Sequence, residues 1–354
     1  MQRDSAGKGG SDLAAATPSS QAAAKPSASG TGLSVWWLAF GYFACYVPYS
    51  ALTKALTSGL AYHDAPRLSG VSLLPMSVLA STVSMLGVIT WLGWWKHAGT
   101  RRVFGATVPM PGPWTFLSGL ATAAIVVTTT LAYTFEGVSI PWVMLLMRGG
   151  VLVLAPIVDA LSGRKVRRAS RIALGLSLLA LLDAVAARGG TRMPILCLVD
   201  IALYLFGYFV RLRFMSRLAK SQDGSEGRRY FVEEQMVATP AAILALALLA
   251  AVPADGPFAD LRRGFLDVPH HPALLTIVLI GVLSQGTGLF GGLVLLDARE
   301  NSFCVPLNRA SSILAGILAQ ALIATILGGH GPSGLEAAGA ALLVGAIAVL
   351  SRAR

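Results

Sequence analysis

Runs of about twenty apolar residues recur along the whole chain, and a segment of that length and character has few conformations open to it. Twenty residues of helix at 1.5 Å rise cover about 30 Å, the thickness of a bilayer's hydrocarbon core. Lipid offers no partner to a backbone N–H or C=O, so each such run must satisfy itself as a helix. Windows of about nineteen residues place ten candidate spans, near 34–53, 70–95, 114–134, 138–161, 170–187, 194–215, 235–253, 273–296, 303–327 and 334–351. Composition agrees. Of 354 residues, 55% are hydrophobic and 13% charged, and the mean hydropathy is +0.66, against about 25% charged in an ordinary soluble domain. The expected fold is an all-α polytopic membrane protein.

The formal charge is +11, from 28 basic and 17 acidic residues. In a soluble protein that balance would suggest nucleic acid as a partner; here the positions argue against it. With the N-terminus inside, most of the basic residues fall on the tails and the even-numbered connections, among them Lys96, Arg101, Arg102, the cluster Arg164, Lys165, Arg167 and Arg168, and Arg213, Arg217, Lys220, Arg228 and Arg229. The other face keeps Lys54, Arg67, Arg188, Arg192, Arg262 and Arg263. By the positive-inside rule both termini are expected in the cytoplasm. Residues 1–32 are Ala, Ser, Gly, Pro and Thr with a few charges, and read as a disordered cytoplasmic tail without the apolar core of a signal peptide. The connection from Ser221 to Gln235, with Glu233 and Glu234, reads as a cytoplasmic loop, and residues 254–272 as a longer outer one. The expected location is the bacterial inner (plasma) membrane.

Polar residues inside the spans are the candidates for function. Arg148 sits near the middle of the run from Val138 to Leu161, where an arginine costs on the order of 2.5 to 3.5 kcal/mol to insert. Arg309 lies within the ninth span beside Asn308, and Arg211 lies deep in the sixth, where it either faces a solute or begins the basic exit of that span. Gln285 and Thr287 are costly in the eighth unless they face protein, water or solute. Thr129 belongs to a run of three threonines that either bond back to their helix or line a polar cavity. Lys54 either snorkels to the interface or joins the same set. Asp183, Asp200 and Glu136 are the carboxylates that are candidates for coupling or gating, with a structural pairing of Asp183 or Asp200 with Arg188 or Arg192 as the alternative. No metal site or cofactor is expected: Cys45, Cys197 and Cys304 have no paired spacing, and His270 and His271 are adjacent rather than four apart. No phosphate-binding Gly-x4-Gly-Lys-Ser/Thr loop is present, which disfavours ATP-driven pumping.

The two halves, 33–190 and 191–354, echo one another. Spans four and nine each carry a proline, an arginine and two small residues, Gly149 and Gly150 in one and Ser311 and Ser312 in the other. The offset that superposes the arginines differs by a few residues from the one that superposes Gly175 on Gly339, which leaves the arginines' equivalence open. Five spans per half is an odd number, so the halves would be inverted in the membrane, as in many secondary transporters. The last span carries Ala337, Ala341 and Gly345 every fourth residue, a stripe that admits another helix within the chain or across a homodimer.

With T-L-A-Y-T-F-E-G-V-S-I-P-W-V from Thr130 to Val143 and V-P-L-N-R-A-S-S-I-L-A-G from Val305 to Gly316, the chain resembles the drug/metabolite transporter superfamily over about residues 34–351. That group of ten-helix proteins includes EamA-type exporters and nucleotide-sugar transporters. The glutamate that many members carry after the fourth and ninth spans is absent; Gly163-Arg164 and Gly328-Gly329 stand there instead. The resemblance implies a central cavity lined by spans one to four and six to nine, working by alternating access. A small polar solute, most simply an anion such as a nucleotide sugar, sugar phosphate or amino acid, is the expected partner besides the bilayer. A non-transporting receptor or assembly subunit is the alternative, and an intramembrane enzyme a weaker one, since no histidine falls mid-span. For topology, cysteines introduced at Ser225 and Ser333 should label from opposite sides, Ser225 from the cytoplasm. Labelling of both from one side would overturn the ten-span arrangement.

Overall fold

A computed structural model of the chain describes residues 34–60, 68–131, 140–186, 193–220, 224–327 and 334–352. Eleven α-helices dominate them: α1 (Val35–Thr57), α2 (Gly70–Trp91), α3 (Pro113–Leu131), α4 (Ile140–Leu161), α5 (Arg168–Ala186), α6 (Ile195–Leu218), α7 (Gly224–Ala250), α8 (Pro257–Leu266), α9 (Leu274–Leu296), α10 (Asn301–Leu327) and α11 (Gly334–Arg352). Ten are long, and each covers one of the apolar runs. Five of them, α2, α6, α7, α9 and α10, are long and apolar enough to cross a membrane. The chain is a multi-pass membrane protein by that measure.

Three connections differ from the sequence reading. The stretch expected as a loop before the seventh span is the first part of α7, and Glu233 and Glu234 are buried within it. Hydropathy windows reject charges; here the two carboxylates have partners, so the helix continues through them. The longer connection before α9 holds α8 and a short 3-10 turn, Val268–His270. Between α2 and α3 the chain forms an antiparallel hairpin, β1 (Thr100–Val103) with β2 (Ala106–Pro109), in the register Thr100 to Pro109. Its two-residue turn has Phe104 at φ 49° and Gly105 at φ 84°, the paired left-handed conformation that suits a tight hairpin.

Helix pairing follows a regular plan. α1 packs on α9 and α10, and α6 on α3 and α4. α2 packs on α9, α3 on α7, α2 on α7, α4 on α10 and α5 on α11, and α10 also packs on α5 and α11. Small residues set how closely these helices approach. A Cβ on Gly281 of α9 would collide with the Ser77 carbonyl oxygen of α2, and one on Gly119 of α3 would lie 2.6 Å from the Val237 Cβ of α7. One on Gly175 of α5 would meet nothing within 4 Å. Gly281→Ala should therefore lower the melting temperature, by an overpacking cost of about 1–3 kcal/mol. Gly175→Ala should leave it unchanged or raise it, since alanine favours a helix by roughly 1 kcal/mol. Thermal unfolding of the two variants side by side checks the contrast.

Candidate functional site

Among the described residues two sets of polar groups stand out in the bundle. One set is at the end where α4, α6 and α9 finish and α5, α7 and α10 begin. There Asp159, fully buried near the end of α4, accepts from the Asn301 and Ser302 backbone N–H groups at 2.8 and 2.7 Å and from both of their side chains. The first N–H groups of a helix have no partner of their own, so Asp159 caps α10 from a neighbouring helix. Glu300 accepts from the Ser170 hydroxyl at 2.7 Å at the start of α5. Arg164 donates to the carbonyls of Ala298, Ser216 and Lys220, tying together the ends of α9 and α6. Glu233 accepts from the Gly99 and Gly112 backbone N–H groups, both at 2.9 Å, and from Thr115 and Arg229, and so fastens the hairpin and the start of α3 to α7.

Arg211 belongs with this set. Its Nε and Nη2 reach Glu234 at 2.8 and 3.0 Å, and Glu234 also accepts from Ser118 and Thr122 of α3. Arg211 is thus a buried fork joining α6 to α7 rather than a solvated exit residue. Removing one partner of such a pair strands a buried charge, at about 3–5 kcal/mol. Glu234→Ala should lower stability by that much, whereas Arg263→Ala, which breaks an exposed pair with Asp260, should change it by less than about 1 kcal/mol. Melting curves of both variants test the comparison.

The second set lies deeper. Arg148 is eleven residues before Asp159 on α4, roughly 16 Å of rise. Its Nη2 donates to the Tyr46 hydroxyl of α1 at 2.7 Å. Arg309 of α10 is buried, and its guanidinium carbon stands 4.9 Å from the ring centroid of Tyr208 on α6. The Arg309 Nε has no hydrogen-bond partner among the described residues. Tyr42 packs on Tyr46 with centroids 5.6 Å apart, and Tyr204 on Tyr208 at 4.9 Å. The two arginines are linked through Tyr42, which packs on Tyr46 beside Arg148 and lies with Asn308, the neighbour of Arg309 in sequence, against Gly291. Neither forms an ion pair with a carboxylate among the described residues. Asn308 completes the group: its Nδ2 donates to the Gly291 carbonyl at 3.4 Å, where α9 has no side chain and Tyr42 fills the space.

The remaining sequence candidates are elsewhere. Gln285 is buried between α9 and α2, its amide oxygen accepting from Ser81. Thr287 donates to the Ser284 carbonyl at 2.6 Å and Thr129 to the Ile125 carbonyl at 2.6 Å, so both bond back to their own helices. Lys54 is exposed in the last turn of α1, the placement of a snorkelling side chain. Asp200 of α6 is buried, and neither carboxylate oxygen has a partner among the described residues. Asp183 lies on α5, but its side chain is not among those described, and Glu136 lies outside the described residues. Four tyrosines central to the deep set were missed. The signal for them was present: Tyr42 and Tyr46 in the first span and Tyr204 and Tyr208 in the sixth are each four apart, on one helical face.

The chain shares its fold with a protein of known crystal structure at a TM-score of 0.56 and 16% sequence identity, over 88% of this chain and 95% of the other. No family model matches the sequence, and no curated protein matches it.

Proposed function

We propose that the chain is a secondary transporter for a small anionic metabolite, built from ten membrane-spanning helices in two inverted halves, with both termini cytoplasmic, and working by alternating access. The observation that carries this reading is the pair Arg148 and Arg309, held deep in the bundle and linked through Tyr46, Tyr42 and Asn308, with no carboxylate on either among the described residues. Arginine keeps its charge under all ordinary conditions and presents donors in a fork that fits carboxylate and phosphate. A purely structural pair of arginines would be expected to bring counter-charges, as Arg211 does.

The helix pairing supports inversion. Exchanging each of the first five long helices with its counterpart in the second five turns the α1–α9 pair into α6–α3, α1–α10 into α6–α4 and α2–α9 into α7–α3, all of which pack, and leaves α2–α7, α4–α10 and α5–α11 as pairs between counterparts. Tyr42 and Tyr204, Tyr46 and Tyr208, and Gly119 and Gly281 are separated by the same number of residues, and Arg148 and Arg309 by one fewer. The resemblance of the sequence to drug/metabolite transporters points the same way.

Flux of labelled anionic metabolites into proteoliposomes tests the reading; binding without flux would move the chain to a receptor. Arg148→Gln and Arg309→Gln should insert and melt normally, since each removes a charge that is costly to insert. Each should weaken solute binding by about 10- to 150-fold, the loss of a charge-assisted contact of about 1.5 to 3 kcal/mol. Lysine at either position should restore part of that, keeping charge without the planar fork. Normal affinity in both glutamine variants would overturn the anion site.

A further inference from the structure

We propose that the two arginine–tyrosine pairs form one site for a small solute bearing two acidic groups, carboxylate or phosphate, with Arg148 and Tyr46 taking one group and Arg309 and Tyr208 the other. This rests on the transport reading above and narrows its substrate class.

Three observations carry it. The first is duplication. Arg148 of α4 engages the second tyrosine of the Tyr42–Tyr46 pair on α1, and Arg309 of α10 engages the second tyrosine of the Tyr204–Tyr208 pair on α6. Each binding element therefore occurs twice, once from each half of the chain. The second is charge. Two guanidiniums joined through Tyr46, Tyr42 and Asn308 repel in a low-dielectric interior. One carboxylate would neutralise one of them and leave the other unmatched, whereas two acidic groups on one solute would match both and give each guanidinium its own partner. The third is open valence. A guanidinium offers five N–H donors. The described contacts of Arg148 use Nη2 alone, and the buried Nε of Arg309 has no partner among the described residues.

The nearby carboxylates do not occupy these donors. Glu234 is taken by Arg211, Ser118 and Thr122, and Asp159 by Asn301 and Ser302. Asp200, one turn before Tyr204 on α6, makes no hydrogen bond among the described residues.

The test is titration calorimetry on the purified full chain in nanodiscs. The probes are straight-chain dicarboxylates from malonate to adipate, each beside its own monoamide, and inorganic pyrophosphate beside orthophosphate. At least one two-group anion should bind about tenfold or more tightly than its one-group counterpart. In Arg148→Gln and in Arg309→Gln that preference should fall to about threefold or less while one-group binding persists. Tyr46→Phe and Tyr208→Phe, which remove only a hydroxyl, should lower two-group affinity several-fold at an unchanged melting temperature; they decide the matter if a glutamine variant folds poorly. Equal affinity for two-group and one-group anions, or no effect in either phenylalanine variant, would overturn this proposal and leave the transport reading standing. Binding of none of the anions, or of uncharged solutes alone, would overturn both.

Discussion

A charge buried in this bundle is costly unless it finds an opposite charge or a set of hydrogen bonds, because the apolar interior supplies neither. Most of the structure can be read as the working out of that constraint. Asp159, Glu233, Glu234 and Glu300 are buried, and each is spent on something structural: the start of α10, the start of α3 with its hairpin, the α3–α6–α7 junction, and the start of α5. Arg164 does the complementary task, donating to carbonyls at the ends of α6 and α9. These contacts gather at one end of the bundle, where helix termini expose backbone groups that need partners. The deep arginines stand apart from that economy, and the proposed function follows from their standing apart.

Packing and polarity are linked through the small residues. Gly291 of α9 lets Tyr42 and Asn308 come together beside the arginines, and a Cβ there would lie 2.8 Å from the Tyr42 ring. Gly207 of α6 approaches the Ala121 carbonyl of α3, which keeps the helix bearing Tyr204 and Tyr208 close to its neighbour. Lipid is as apolar as leucine, so helices in it associate through close fit and polar contacts rather than through loss of water. The same glycines that permit the fit therefore also determine which polar side chains meet.

Much of this was legible from residues alone. The length and apolar character of the runs located the ten long helices, because only a helix satisfies its own backbone in lipid. Arg148, Arg309 and Asn308 were identifiable as candidates from the cost of placing them there. Glu233 and Glu234 were misplaced in a loop because a hydropathy window registers a charge without its partner; the partners are Arg211, twenty-three residues away, and Gly99 and Gly112, over a hundred away.

The sequence by itself determined the class of structure and which residues were too costly to be there without a task, since both follow from the transfer of single side chains and backbone groups into lipid. It could not assign the tasks. Arg211 and Arg309 look alike as intramembrane arginines, yet one is locked to Glu234 and the other stands over Tyr208 with a donor unused. Only the tertiary structure decided that difference, because whether a buried charge is already matched depends on which distant residues the packing of α3, α6, α7 and α10 brings within about 3 Å of it.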